Sequence, residues 1–180
     1  MRKTIDLVEA TTRPAKLETT PLPYKTDSLD PVMSEDTIDY HYEKLAKGYA
    51  TRYNAGKGNA DFNRAGNFLH NKFFPQLKEP KGANKPKGAV LQLIEDKFGT
   101  YEDFKEAFKE RAMAIEGSGW VYLSTAGELK TIKNHAVRTD ICMIVDWWEH
   151  AWALDYQADK EKYLANCWKI INWDICSERL

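Results

Sequence analysis

Histidine is scarce in this chain: among 180 residues there are four, His41, His70, His135 and His150. Imidazole and carboxylate side chains are the ligands that suit borderline divalent and trivalent metals such as iron, manganese and zinc. Asp146 stands four residues before His150, where the apolar run 141–145 gives way to Asp-Trp-Trp-Glu-His. His41 and His70 fall on two stretches of helical periodicity separated by a short turn, so one can face the other across a helical hairpin. Three imidazoles and one carboxylate would then close an N₃O shell. Taken singly, each of these residues is more often bland: a packed or solvated histidine, or a turn carboxylate. Four such coincidences are harder to sustain. Trp147-Trp148 is ordinarily plain core, although apolar walls also keep bulk water from a redox metal. Gly117-Ser118-Gly119 is too short for a phosphate loop.

Those side chains need elements to hold them. Ser34 followed by Glu35 and Asp36 starts a helix, which the pattern carries to about Asn54 with His41, Leu45 and Tyr49 along one stripe. Gly56-Lys57-Gly58-Asn59 turns the chain into a second helix, about 61–74, bearing Phe62, Gly66, Leu69, His70 and Phe73 and closed by Pro75. The polar stretch 78–88, with two prolines and two glycines, reads as a linker. Beyond it, Val90, Leu93, Ile94 and Phe98 mark a helix ended by Gly99, and Thr100 caps another with Phe104, Ala107 and Phe108 on its inner face. Short β-rich runs follow at 120–125, 129–135 and 141–146, predicting a three-stranded antiparallel meander, and the tail 159–179 is helical. The expected class is α+β: an extended N-terminal arm over 1–33, an antiparallel helical hairpin over 34–80, and a C-terminal α/β domain over 89–180 with the sheet and further helices.

Composition narrows the function. Lys+Arg 26 against Asp+Glu 27 gives a net charge of −1, too balanced for the broad basic surface of non-specific nucleic-acid binding. No apolar stretch approaches the roughly 18 residues needed to span a bilayer, and the first twenty residues lack a secretory apolar core, so no membrane partner and a cytoplasmic location are expected. Cys142, Cys167 and Cys176 show no CxxC spacing and read as free or buried thiols.

The string Asp146-Trp147-Trp148-Glu149-His150-Ala151, with Asp155-Tyr156, Tyr163-Leu164, Trp168 and Asn172-Trp173 after it, resembles the C-terminal signature of the iron/manganese superoxide dismutases. Upstream, 34–38 with His41-Tyr42, Lys44 and Tyr49 resembles that family's first helix. Phe62-Asn63, Ala65-Gly66, His70 and Phe73 resemble its second, and Gly117-Ser118-Gly119-Trp120 its first strand. The resemblance implies a homodimeric dismutase acting on superoxide, with one iron or manganese ion per subunit. His41, His70, Asp146 and His150 would be its ligands and a solvent molecule the fifth. It further implies that Tyr49 is the active-site tyrosine and that His135 takes the place of a glutamine touching the bound solvent, which tilts the metal toward iron. Glu149 would reach the partner's metal-bound histidine, and Trp120 and Trp148 would wall the cavity.

The departures concern the entrance. Leu45 and Ala46 stand where the family has two histidines, Ala153 where it has the tyrosine that pairs with the first of them across the dimer, and Leu69 where it has asparagine. Loss of both members of a pair leaves no orphaned polar group. These departures motivate an alternative, a metal-stabilised structural or interaction protein on the same fold. An iron oxygenase is disfavoured because a third histidine ligand would occupy a position such an enzyme needs open.

Overall fold

The computed structural model describes residues 15–180. Of the expected arm, 1–14 therefore lie outside the described residues. From residue 15 the arm lies along the helical hairpin, fastened by asparagine side chains that stand in for a partner strand. Leu17 donates its N–H to Asn54 Oδ1 and accepts from Asn54 Nδ2, each at 2.8 Å, and Thr20 N–H donates to Asn71 Oδ1 at 2.8 Å. Further along, Tyr24 Oη donates to the Phe74 carbonyl at 3.0 Å, and Leu22 and Tyr24 pack on the core.

Ser34 caps α1 (Glu35–Ile38) by accepting from Thr37 N–H. The chain then widens into a π-helical segment, Asp39–Ala46, before resuming as α2, Lys47–Asn54. Lys47 N–H reaches back five residues to the Tyr42 carbonyl. A regular i, i+4, i+8 stripe is thus broken in the middle: His41 and Tyr49 are buried, whereas Leu45 is only half-buried. Asn59 caps α3 (Ala60–Phe73) with a 2.8 Å bond from Phe62 N–H. Phe62, in the first turn of that helix, is 36% exposed.

Two amphipathic helices, α4 (Gly88–Phe98) and α5 (Tyr101–Met113), follow; Gly99 at φ 87° ends the first, and Thr100 caps the second. The sheet comprises β1 (Gly119–Ser124), β2 (Leu129–Lys133) and β3 (Ile141–Asp146), all antiparallel, in the order β2-β1-β3. This corrects the meander: β3 pairs with the free edge of β1 and not with β2. The connection 134–140 is long enough to cross β1, and the fully buried β3 needs cover that the half-exposed strand β2 does not find. The second strand also ends before residue 135, so His135 sits in that crossing loop.

The tail is two helices rather than one, α7 (Lys160–Cys167) and α8 (Trp173–Glu178), preceded by the short α6 (Ala153–Tyr156). Asn172 caps α8, and the residues before it turn to pair with the hairpin: Ile171 bridges Leu77, and Lys78 N–H donates to the Ile170 carbonyl at 2.7 Å. Gln76, fully buried, ties the same corner to the sheet by accepting from Ile144 N–H at 3.1 Å and donating to the Ile144 carbonyl. Gln76→Ala orphans both groups of Ile144, so it is expected to cost about 2 kcal/mol of unfolding free energy in denaturant titrations.

Candidate metal centre

Each ligand candidate is delivered by a different local device. His41 comes from the π-helical segment and His70 from the last turn of α3. Asp146 is the final residue of β3, and His150 lies in the 3₁₀ turn Glu149–Ala151 immediately after it. Their donor atoms lie within 4.8 Å of one another. His41, His70 and Asp146 are 0–1% exposed.

The spacing is that of a coordination shell. Asp146 Oδ2 lies 3.1 Å from His41 Nε2, 3.6 Å from His70 Nε2 and 3.3 Å from His150 Nε2, and the His41 and His70 Nε2 atoms are 3.1 Å apart. Two atoms each about 2.1 Å from a common centre stand about 3.0–3.6 Å apart at angles of 90–120°. The donor set fits one iron or manganese ion.

Protonation agrees with that geometry. His70 Nδ1–H donates to the Gly66 carbonyl at 2.6 Å, which leaves the Nε2 lone pair facing inward. Burial, reinforced by the neighbouring His150, pushes His41 down to about 4, and burial with His41 beside it holds His70 well below the usual imidazole value. Both are neutral near pH 7, as ligands must be. Burial alone would raise the Asp146 carboxyl, but His150 and His41 against it hold it well below the carboxylate range. Asp146 Oδ1 accepts from Trp148 N–H at 2.8 Å, which aims Oδ2 at the histidines. Phe73 and Phe74 pack on the His41 ring, and Trp120 meets His70 edge-on at 5.0 Å.

His135 occupies a bridge beside the ligands. Its Nδ1 lies 3.1 Å from Trp120 Nε1, and its Nε2 lies 2.9 Å from Tyr49 Oη. An indole nitrogen can only donate, so His135 Nδ1 accepts and the ring's single N–H, on Nε2, points at Tyr49. A glutamine amide in this place could donate twice; histidine has one proton to give and spends it on Tyr49. Burial lowers His135 to about 4, so the ring stays neutral. Trp148 stacks on His135 at 4.6 Å and on His150 at 5.6 Å. The Glu149 side chain is exposed and makes no hydrogen bond or ion pair among the described residues, while its carbonyl accepts from Trp152 N–H.

Gly66 is the residue whose part at the site the sequence pattern conceals. Its carbonyl orients His70, and a Cβ there would lie 2.8 Å from Tyr49 Cδ1, so only glycine leaves room for that ring. A glycine inside a helix, four residues before a candidate ligand, was the available signal.

Comparison with known proteins gives the same picture. Residues 16–65 match the family description "Iron/manganese superoxide dismutases, alpha-hairpin domain" and 86–179 match "Iron/manganese superoxide dismutases, C-terminal domain". The chain is 33% identical to "Superoxide dismutase [Fe]" of Pyrobaculum aerophilum, over 89% of this chain and 90% of that protein. It is 34% identical to "Superoxide dismutase [Fe]" of Bacteroides fragilis, over 88% and 96%. With "Superoxide dismutase [Mn/Fe]" of Porphyromonas gingivalis it shares 35% identity, again over 88% and 96%. Two matched domains and relatives 33–35% identical over most of the chain place this chain in the iron/manganese superoxide dismutase family.

Proposed function

We propose that the protein is a superoxide dismutase in which two superoxide ions and two protons give dioxygen and hydrogen peroxide. The observation that carries the reading is the convergence of His41, His70, Asp146 and His150 in a buried pocket of a chain from this family. When bound, iron or manganese supplies one-electron redox chemistry, carrying an electron from one superoxide to the next. One carboxylate and three neutral imidazoles leave excess positive charge at the centre, which attracts the anionic substrate. Because His135 Nε2–H donates to Tyr49, the Tyr49 hydroxyl is free to direct its own proton elsewhere in the pocket. Burial raises that phenol well above its ordinary value, so Tyr49 holds its proton near neutrality and acts as a donor. Trp120 and Trp148 exclude bulk water around the rings.

The same reading assigns the arm, the hairpin (34–80) and the C-terminal domain (89–180) as one unit built around the metal. It favours iron, on the histidine at 135. It makes the protein a homodimer in which exposed Glu149 meets the partner's His150. Three buried, unpaired thiols support a reducing, cytoplasmic setting. The deciding experiment is superoxide dismutation per bound metal atom, on protein loaded separately with iron and with manganese. Turnover with at least one metal supports the enzyme; stoichiometric metal with negligible turnover in both forms points instead to a metal-stabilised structural protein, which Leu45, Ala46, Leu69 and Ala153 would then explain. Glu149→Ala is expected to weaken the dimer at least tenfold by sedimentation, and an unchanged assembly would mean that the subunits meet elsewhere.

A further inference from the structure

Arg52 lies in α2 nearly one turn after Tyr49, outside the ligand set and its hydrogen-bonded neighbours. Its guanidinium carbon is 4.9 Å from the centroid of the Tyr49 ring. Arg52 Nε–H donates to Asn63 Oδ1 at 3.1 Å, and the buried Asn63 donates its amide to the Lys57 carbonyl at 3.0 Å. Asn63 is thus a bracket that holds the planar cation over the phenol.

Space for this arrangement comes from two glycines. A Cβ at Gly48 would stand 2.9 Å from Arg52 Nη1, and one at Gly66 would stand 2.8 Å from Tyr49 Cδ1. Each lies inside a helix, where glycine costs about 1 kcal/mol relative to alanine; clearance for the Arg52–Tyr49 pair is the physical return at both positions. The ion pairs of this region among the described residues, Lys47–Glu43 and Arg64–Asp61, do not include Arg52. Its charge lies two ring contacts from a ligand, 4.9 Å to Tyr49 and then 5.2 Å from Tyr49 to the His70 ring. That separation is comparable to the Debye length of about 8 Å at physiological ionic strength. A cleft of about 620 Å³ reaches His135, the partner of Tyr49, and its own lining charges, Asp61 and Arg64, are paired with each other at 3.6 Å.

We infer that Arg52 is the positioning residue for Tyr49 and the cation that draws a small anion toward the Tyr49 side of the metal centre. It supplies from within one subunit a polar support for the entrance that positions 45 and 153 do not provide. The inference rests on the dismutase reading for the identity of the anion, and its test separates the two.

Azide is the probe. Its dissociation constant is read from the absorption of iron-loaded protein, and the dismutation rate is followed against ionic strength. Arg52→Gln is expected to raise the azide dissociation constant about three- to fivefold, the loss of one charge at this distance in a partly screened medium, and to flatten the fall of rate with salt. Arg52→Lys is expected to restore the salt dependence but not the full azide affinity, because an ammonium cannot lie flat on the phenol while held by Asn63. Gly48→Ala, which favours the helix, keeps the charge but pushes the guanidinium aside, and should behave like Arg52→Lys. Azide affinity and salt dependence in Arg52→Gln equal to the parent's would overturn the inference. A parent that binds azide but leaves superoxide untouched refutes the dismutase reading, and the azide series then decides the role of Arg52 by itself.

Discussion

Asp146→Ala is expected to yield protein that loses iron and manganese on desalting and has dismutation reduced by more than the about 10–100-fold typical of changes outside the ligand shell. Oδ2 of this residue lies 3.1–3.6 Å from three imidazole nitrogens and is the single anion they share. Without it, three neutral rings would have to hold a cation in an apolar interior with no counter-charge. The loss should extend to stability. A ligand that binds only the folded chain stabilises it by about 4 kcal/mol at a thousandfold excess over its dissociation constant. The parent's thermal midpoint should therefore rise when metal is loaded, and that rise should vanish in the variant. Elemental analysis showing one metal per chain in Asp146→Ala would refute the ligand assignment.

Acid should unfold the metal-stripped protein through the same residues. His41 and His135 are both lowered to about 4 in the folded chain, against an ordinary value of 6.5, and His70 is also held low. Between those limits the unfolded chain binds more protons than the folded one, so stability rises with pH across that window and falls as pH drops through it. For His41 alone the loss between pH 7 and pH 4 is about 3 kcal/mol. Asp146 works with the same proton balance at lower pH: its folded value is depressed below the ordinary carboxylate value, so it stabilises the fold above that range and the contribution is lost as pH falls through it. Urea titrations at pH 7, 5.5 and 4.5 measure the slope. A flat profile would mean that the buried rings are not neutral in the folded chain. Metal loading should raise stability at every pH in the series and carry the slope to lower pH, because bound imidazoles cannot take up the protons that the unfolded chain still binds.

Local chemistry made much of this architecture readable. Ser34 and Thr100 were visible as caps because a side-chain oxygen followed by carboxylates satisfies free amides wherever it occurs. The strands were legible as β-rich runs, but their order was not: nothing in the residues 134–140 says whether β3 returns beside β2 or crosses to the far edge of β1. The π-helical segment left no mark on the sequence, where His41, Leu45 and Tyr49 keep regular helical spacing; only the structure shows Leu45 turned partly out of the stripe. The tail read as one helix because its apolar spacing is helical on both sides of the break, while the break itself is made by pairing with Leu77 and Gln76, far away in sequence. At the metal centre, residue types and spacing drew attention to His41, His70, Asp146 and His150, and the structure brings those four together. The proton on His135, the clearance at Gly66 and the bracket formed by Asn63 depend on contacts between helices and loop, which no local pattern encodes.

The ligands divide evenly along the chain, two on the helical hairpin and two within five residues at the end of β3, with most of the chain's middle between the pairs. Neither half can chelate an ion alone with more than two side chains, so tight capture waits until β3 docks against α3. Once it has docked, three of the four ligands are at most 1% exposed, and the last offers only 11% of its side chain to solvent. An ion held by these four would exchange only as the two halves part, so metal bound when the chain closes is expected to stay when a competing ion is added later.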